Sequence, residues 1–243
     1  SGAIELRQRV PTAGLTLPMK ASPDHRVLYV GTRSESAILA FGIHPDSGEL
    51  ALLGRTEAAG DPTYVACDKR MRVAFCASYR DNNLAVFPLD AQGAPHVLSQ
   101  VEIDLPRAHA AQMDATNRWL LVPMLGVDAI RVYRLGDDLR LTPNDPPMVT
   151  VRPGSGPRHF VFSPDNRRVH CLNELDGSID LFDFDAMAGT LTLRQSVSML
   201  PPGFSDKAWA AELRATPDGR FLFASERRSS TLAVFAVDGQ SGE

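Results

Sequence analysis

Ser22-Pro23-Asp24-His25-Arg26-Val27-Leu28-Tyr29 decides the fold, because its theme of a polar turn, an Arg and an apolar strand returns four more times. The strands read Arg26-Val27-Leu28-Tyr29, Arg72-Val73-Ala74-Phe75, Arg118-Trp119-Leu120-Leu121, Arg167-Arg168-Val169-His170 and Arg220-Phe221-Leu222-Phe223, with anchors 46, 46, 49 and 53 residues apart. A second apolar strand follows each, and its aromatic residue (Phe41, Phe87, Tyr133, Phe182, Phe235) keeps the same four spacings. Register is therefore preserved inside every unit. A repeat near 46 residues with four short strands is that of a β-propeller blade, whereas helical solenoids of similar period need apolar spacings of three and four.

The surrounding chain agrees with an all-β reading. Eighteen Gly and 18 Pro are scattered between short runs of Val, Leu, Phe and Tyr, the texture of many strands and turns. Lys207-Ala208-Trp209-Ala210-Ala211-Glu212-Leu213-Arg214 has helical propensity, but its place in the repeat makes it an inner strand with its preceding loop. Residues 1–243 read as one propeller domain of about five blades: an outer strand at Ala3 to Val10, four full blades, and three strands of a fifth ending at Val237. Counting alone allows the first strand to close a five-bladed ring, or the chain to be a piece of a larger one. An open ring would expose apolar blade faces, which dimerisation or strand exchange would cover.

At 243 residues with 44% hydrophobic and 22% charged, the chain can bury a sizeable core. Its formal charge of -4 argues against general attraction to nucleic acid or an anionic membrane. Cys67, Cys76 and Cys171 lack CxxC spacing, so neither a disulfide scaffold nor a zinc ribbon is expected, and a reducing cytoplasm fits. No apolar run reaches the length of a membrane span.

In an antiparallel blade the start of the innermost strand and the end of the next share one face. Nine residues before each anchor stand Leu17, Thr63, His109, Arg158 and Ala211; seven after it stand Arg33, Tyr79, Leu125, Glu174 and Arg227. The row four after the anchor is instead small and apolar: Val30, Cys76, Val122, Cys171 and Ala224. Ionisable groups thus gather at one rim, where single charges would be ordinary surface decoration but matched positions point to a site. Arg158 and Arg227, with Arg33, offer planar donor forks for carboxylate or phosphate. His109 and Glu174 form an acid–base pair if the pocket raises Glu174 and leaves His109 near its usual range. His159 lines the mouth or caps a turn; His25, His44, His96 and His170 read as turn or strand residues. No Gly-rich phosphate loop, GxSxG or HExxH occurs, so nucleotide hydrolysis, serine-esterase and zinc-protease chemistry have no support.

Gly154-Ser155-Gly156-Pro157-Arg158-His159 followed by Asn173-Glu174-Leu175, with Leu125-Gly126-Val127-Asp128 and Phe204-Ser205-Asp206-Lys207-Ala208-Trp209-Ala210-Ala211, resembles the bacterial 6-phosphogluconolactonase family of seven-bladed propellers across essentially the whole chain. The resemblance implies metal-independent, cofactor-free hydrolysis of 6-phosphoglucono-1,5-lactone, a small phosphorylated sugar lactone, to 6-phosphogluconate in the cytoplasmic pentose phosphate pathway. It also implies a fragment lacking N-terminal strands and about two C-terminal blades. A fungal carboxymuconate lactonising enzyme of the same superfamily has His, Arg, Glu and Arg site positions similar to His109, Arg158, Glu174 and Arg227. Arg33, Tyr79, Asp128, His159, Asn173 and Lys207 are then the expected substrate-binding residues. The competing readings are a lactonising enzyme or lactonase acting on a carboxylated, non-phosphorylated substrate, and a non-catalytic propeller that binds a protein partner.

Overall fold

The structure is a computed structural model that describes residues 2–243. The chain divides into two compact units, one reaching to Asp104 and one from Leu105 to Glu243. In the first, β1 (Thr16–Ala21), β2 (Val27–Thr32), β3 (Ala37–Ile43) and β4 (Leu50–Glu57) form one antiparallel meander. β5 (Tyr64–Cys67), β6 (Val73–Ser78), β7 (Asn83–Pro88) and β8 (Gln100–Glu102) form the next. In the second unit, β9 (Gln112–Met113), β10 (Trp119–Met124), β11 (Ala129–Leu135) and β12 (Leu141–Thr150) make the third blade. β13 (Pro157–Phe162), β14 (Arg168–Asn173), β15 (Ser178–Asp185) and β16 (Thr190–Ser198) make the fourth. β17 (Ala210–Ala215), β18 (Phe221–Glu226) and β19 (Thr231–Ala236) make a three-stranded fifth. The described residues contain no α-helix, and the ambiguous 207–214 segment is a loop up to Trp209 followed by strand β17 from Ala210.

The repeat read from the sequence is a repeat of hydrogen bonds. Four residues before each anchor stands Ser22, Asp68, Asp114, Ser163 or Thr216. Its side-chain oxygen accepts the backbone N–H five residues on, from Val27 at 3.0 Å, Val73 at 3.0 Å, Trp119 at 2.9 Å, Arg168 at 2.9 Å and Phe221 at 3.1 Å. Short oxygen-bearing side chains compete well for backbone N–H groups at turns, so carboxylate and hydroxyl serve equally. The following strands pair Leu28 with Phe41, Ala74 with Phe87, Leu120 with Tyr133, Val169 with Phe182, and Leu222 with Phe235. The row Val30, Cys76, Val122, Cys171 and Ala224 is buried throughout, and all three cysteines are free.

One expectation fails. Residues 3–10 form no strand and, up to Arg9, are exposed. A strand needs a ladder of backbone partners, and here a side chain takes their place. The Gln8 amide donates to the Leu50 carbonyl at 3.1 Å and accepts the Leu50 N–H at 2.7 Å, engaging β4 at a single residue.

Each unit has its own apolar interior. Tyr29, Ile38, Val65 and Phe87 pack together in the first, where the Tyr29 hydroxyl donates to the Gly93 carbonyl at 2.8 Å. In the second, Leu172 and Ile179 of the fourth blade pack with Leu213, Leu222 and Ala224 of the fifth. That contact joins the two blades that carry Arg158, Glu174 and Arg227.

Candidate active site

Glu174 follows β14 and Arg227 follows β18, at the matched exit positions that the repeat defines. Arg158 lies on β13, where the ladder slips: Pro157 faces Asn173 but His159 faces Leu172, leaving Arg158 as an extra residue. Such a bulge re-aims side chains and breaks the strict alternation of a strand. Arg158 and His159 consequently meet, with Nη1 of Arg158 lying 3.2 Å and 3.4 Å from the two imidazole nitrogens. The fifth blade slips by one residue at the same place, between Ala210 and Leu213. His109 falls in a comparable stretch, between the Ala108–Met124 bridge and the Gln112–Leu121 pair, and donates its backbone N–H to the Pro123 carbonyl at 3.1 Å.

The centre of the arrangement is one carboxylate oxygen. Glu174 Oε2 accepts Arg158 Nε at 2.7 Å and Arg227 Nη2 at 2.9 Å, so guanidinium groups from two blades close on it. The Arg158 and Glu174 side chains are only 13% and 11% exposed, so these charge-assisted bonds are little screened by water. Arg158 Nη1 also donates to the Ala211 carbonyl, while Arg227 donates through Nε to the Trp209 carbonyl at 3.0 Å and through Nη2 to the Ala210 carbonyl at 2.8 Å. Arg158 Nη2 and Arg227 Nη1 have no acceptor among the described residues, which leaves four N–H donors for an incoming anion.

The imidazoles stand beside this pair. The His109 and His159 rings meet edge to face with centroids 5.1 Å apart, and His159 Nδ1 lies 3.0 Å from Glu212 Oε1. Burial, reinforced by the Arg158 charge and by His159, pushes His109 down to about 2. This corrects the expectation that His109 keeps its usual range: it is a neutral imidazole at physiological pH and cannot serve there as a resting proton donor. Burial lowers His159 and His170 as well. The unfolded chain takes up these protons as pH falls through about 6.5 and the native chain does not, so stability declines below that pH and is unaffected above it. Thermal melts from pH 7 to pH 5 are expected to show a falling midpoint, with a shallower fall in His109→Gln; an equal slope in that variant would refute His109's part.

Several expected binding residues have other work. Asn173 is fully buried and donates its amide to Ser178 Oγ and Asp180 Oδ2, both at 2.8 Å. Asp128 accepts the Gly154 N–H at 2.7 Å and the Gly156 N–H at 2.8 Å, shaping the loop into β13 and leaving a carboxylate poorly suited to greet an anion. Gly156 is required there: its φ is +67° and a Cβ would lie 2.7 Å from Leu175 Cγ. Lys207 is exposed in the loop before β17, its backbone N–H on Asp206 Oδ1 at 2.6 Å. Arg33 and Tyr79 belong to the first unit, where Arg33 Nε reaches the Pro62 carbonyl at 3.4 Å and the Tyr79 N–H donates to Thr63 Oγ1 at 3.0 Å.

Two residues escaped the sequence reading. Glu212 stands eight residues before its anchor, the position His159 holds one blade earlier, so matching adjacent rows would have paired them. Trp209 carried no rim signal, yet its ring lies under Arg227 with the guanidinium carbon 4.0 Å from the centroid. No group of three or more His, Cys, Asp or Glu suited to a metal occurs among the described residues, and no described helix is long and apolar enough to cross a membrane.

Comparison with known proteins places this geometry in context. A model of the family described as lactonase, 7-bladed beta-propeller matches residues 1–243. A periplasmic gluconolactonase of Pseudomonas aeruginosa is 31% identical with a TM-score of 0.88, the match covering 97% of this chain and 72% of that one. A candidate 6-phosphogluconolactonase of Bacteroides fragilis is 26% identical with a TM-score of 0.81, over 93% of this chain and 68% of that one. A Lactobacillus plantarum protein is 28% identical with a TM-score of 0.78, over 90% and 66%.

Proposed function

The chain belongs to the lactonase family of seven-bladed β-propellers, and from that premise we propose that it hydrolyses a sugar lactone, 6-phosphoglucono-1,5-lactone, to 6-phosphogluconate. The observation that carries this reading is the pair of guanidinium groups held on Glu174 Oε2 with their remaining N–H donors unspent. Planar forks fixed in advance suit the phosphate and carbonyl oxygens of such a substrate and lose little entropy on binding it.

In the proposed reaction Arg158 and Arg227 hold the anion and polarise the lactone carbonyl. Neutral His109 takes a proton from water as its oxygen bonds to the carbonyl carbon. The bond from that carbon to the ring oxygen then breaks, and the proton passes to the departing oxygen. Burial is the main cause of the His109 depression, and an anion on the guanidinium groups would offset only the smaller part that the Arg158 and Arg227 charges add. Glu174, bound to both arginines, acts as the element that positions them.

A second reading has its own support. The Pseudomonas neighbour is by name a gluconolactonase and periplasmic, so an unphosphorylated gluconolactone handled outside the cytoplasm is the alternative. Rates above the spontaneous background for glucono-1,5-lactone and for its 6-phosphate separate the two. The proposal expects kcat/KM at least about tenfold higher for the phosphate, the scale of one charge-assisted contact. A preference for the unphosphorylated lactone transfers the assignment to it, and no turnover of either removes the lactonase reading.

A further inference from the structure

Arg227 is the more exposed of the two guanidinium groups, at 33% against 13% for Arg158, so its orientation needs an outside support. Trp209 supplies one. Its indole lies against the guanidinium 4.0 Å from the ring centroid, and its carbonyl accepts both the side-chain Nε at 3.0 Å and the backbone N–H of Arg227 at 3.2 Å. The residue is itself anchored through its main chain, because the Trp209 backbone N–H donates to Glu226 Oε1 at 2.6 Å and Glu226 is buried. Glu226 Oε2 in turn accepts the Ser229 hydroxyl at 2.6 Å, tying the β18–β19 turn to the same carboxylate.

These contacts account for three of the five Arg227 donors and for one face of its plane; Glu174 takes part of the same Nη2. The two N–H groups of Nη1 are the ones left for a ligand, and the indole plane sets the direction in which they point. A cation stacked on an aromatic face is held by the ring's quadrupole, an interaction that weakens when the cation's charge is shared with a bound anion.

We propose that Trp209 is a positioning residue, holding Arg227 in the plane in which Nη1 meets the anionic group of the substrate, and that its indole senses occupancy of that position. The proposal rests on the lactonase reading for its substrate but not for its measurement. Trp209 is 45% exposed and stacked on Arg227, whereas the other tryptophan, Trp119, is 5% exposed with Nε1 on the Ala186 carbonyl, so Trp209 is the indole placed to report on the site.

The 243-residue chain is titrated with 6-phosphogluconate, and separately with inorganic phosphate, while indole emission is followed. A saturable change that weakens with added salt is expected; no change in the unmodified chain overturns the proposal. Trp209→Phe should abolish the change but keep the calorimetric Kd within about threefold, since a phenyl ring still supports the guanidinium. Trp209→Leu, which keeps bulk without a π face, should weaken Kd about tenfold and raise KM more than it lowers kcat. A Leu variant that binds as tightly as Phe overturns the role. Should that variant melt early, Arg227→Gln decides: it must abolish the emission change, and retention refutes the coupling. A chain that hydrolyses no lactone but still behaves this way loses the proposed reaction and keeps the positioning role; normal hydrolysis with indifferent Trp209 variants does the reverse.

Discussion

Replacing Arg158 by lysine is expected to lower kcat/KM for lactone opening about 100-fold, the usual consequence of losing a fixed donor at a developing oxyanion. The charge survives this substitution, so the loss would measure geometry. Arg158 binds Glu174 through Nε at 2.7 Å and the Ala211 carbonyl through Nη1, and still carries Nη2 toward a ligand. A lysine has one nitrogen on a flexible stem and cannot occupy three directions at once. Steady-state hydrolysis, with a melting curve to show that the variant is folded, provides the measurement. Activity within about fivefold of the unmodified chain would sink the two-fork model, because an ammonium would then suffice.

Glu174→Gln should have an effect of similar size for a different reason. Glu174 is the only carboxylate bonded to both Arg158 and Arg227 among the described residues. Without its charge, two guanidinium groups are left close together in partly dry surroundings, where like charges repel strongly. The arginines are expected to part, with kcat/KM falling about 100-fold or more. The shape of the pH–rate profile distinguishes positioning from proton transfer: if Glu174 were the base, Gln would remove the acidic limb, whereas a positioning role lowers the whole curve and preserves its form. Near-native kcat/KM in this variant would dismiss both.

The blade register was legible because it is written in side chains at fixed intervals. A Ser, Thr or Asp four before each anchor and an aromatic fifteen after it specify the turn and the pairing locally. The exits of β14 and β18 were equally legible, and with them Glu174 and Arg227. The bulge at Arg158 was not, since an extra residue in a ladder depends on where the partner strand stops pairing, and alternation alone places Arg158 and His159 on opposite faces. His109's protonation was misread for a related reason: depth of burial and the nearness of Arg158 are properties of the assembled blades. Residues 3–10 have strand-like composition, but composition cannot supply a neighbouring backbone. The amide partners of Asn173, Ser178 and Asp180, lie across the β14–β15 turn and were not visible in its motif.

The Glu174–Arg227 bond joins the fourth blade to the fifth, while the Glu174–Arg158 bond stays within the fourth. Arg158 also reaches across the seam between them to the Ala211 carbonyl of β17, so both halves of the fork depend on how the two blades meet. Any slide along that seam would open the fork while every strand remains paired, a change to which secondary structure is a blind witness. Substitutions at Leu213 or Leu222, which pack where the two blades meet, are therefore expected to disturb the Glu174–Arg227 bond before any strand unpairs.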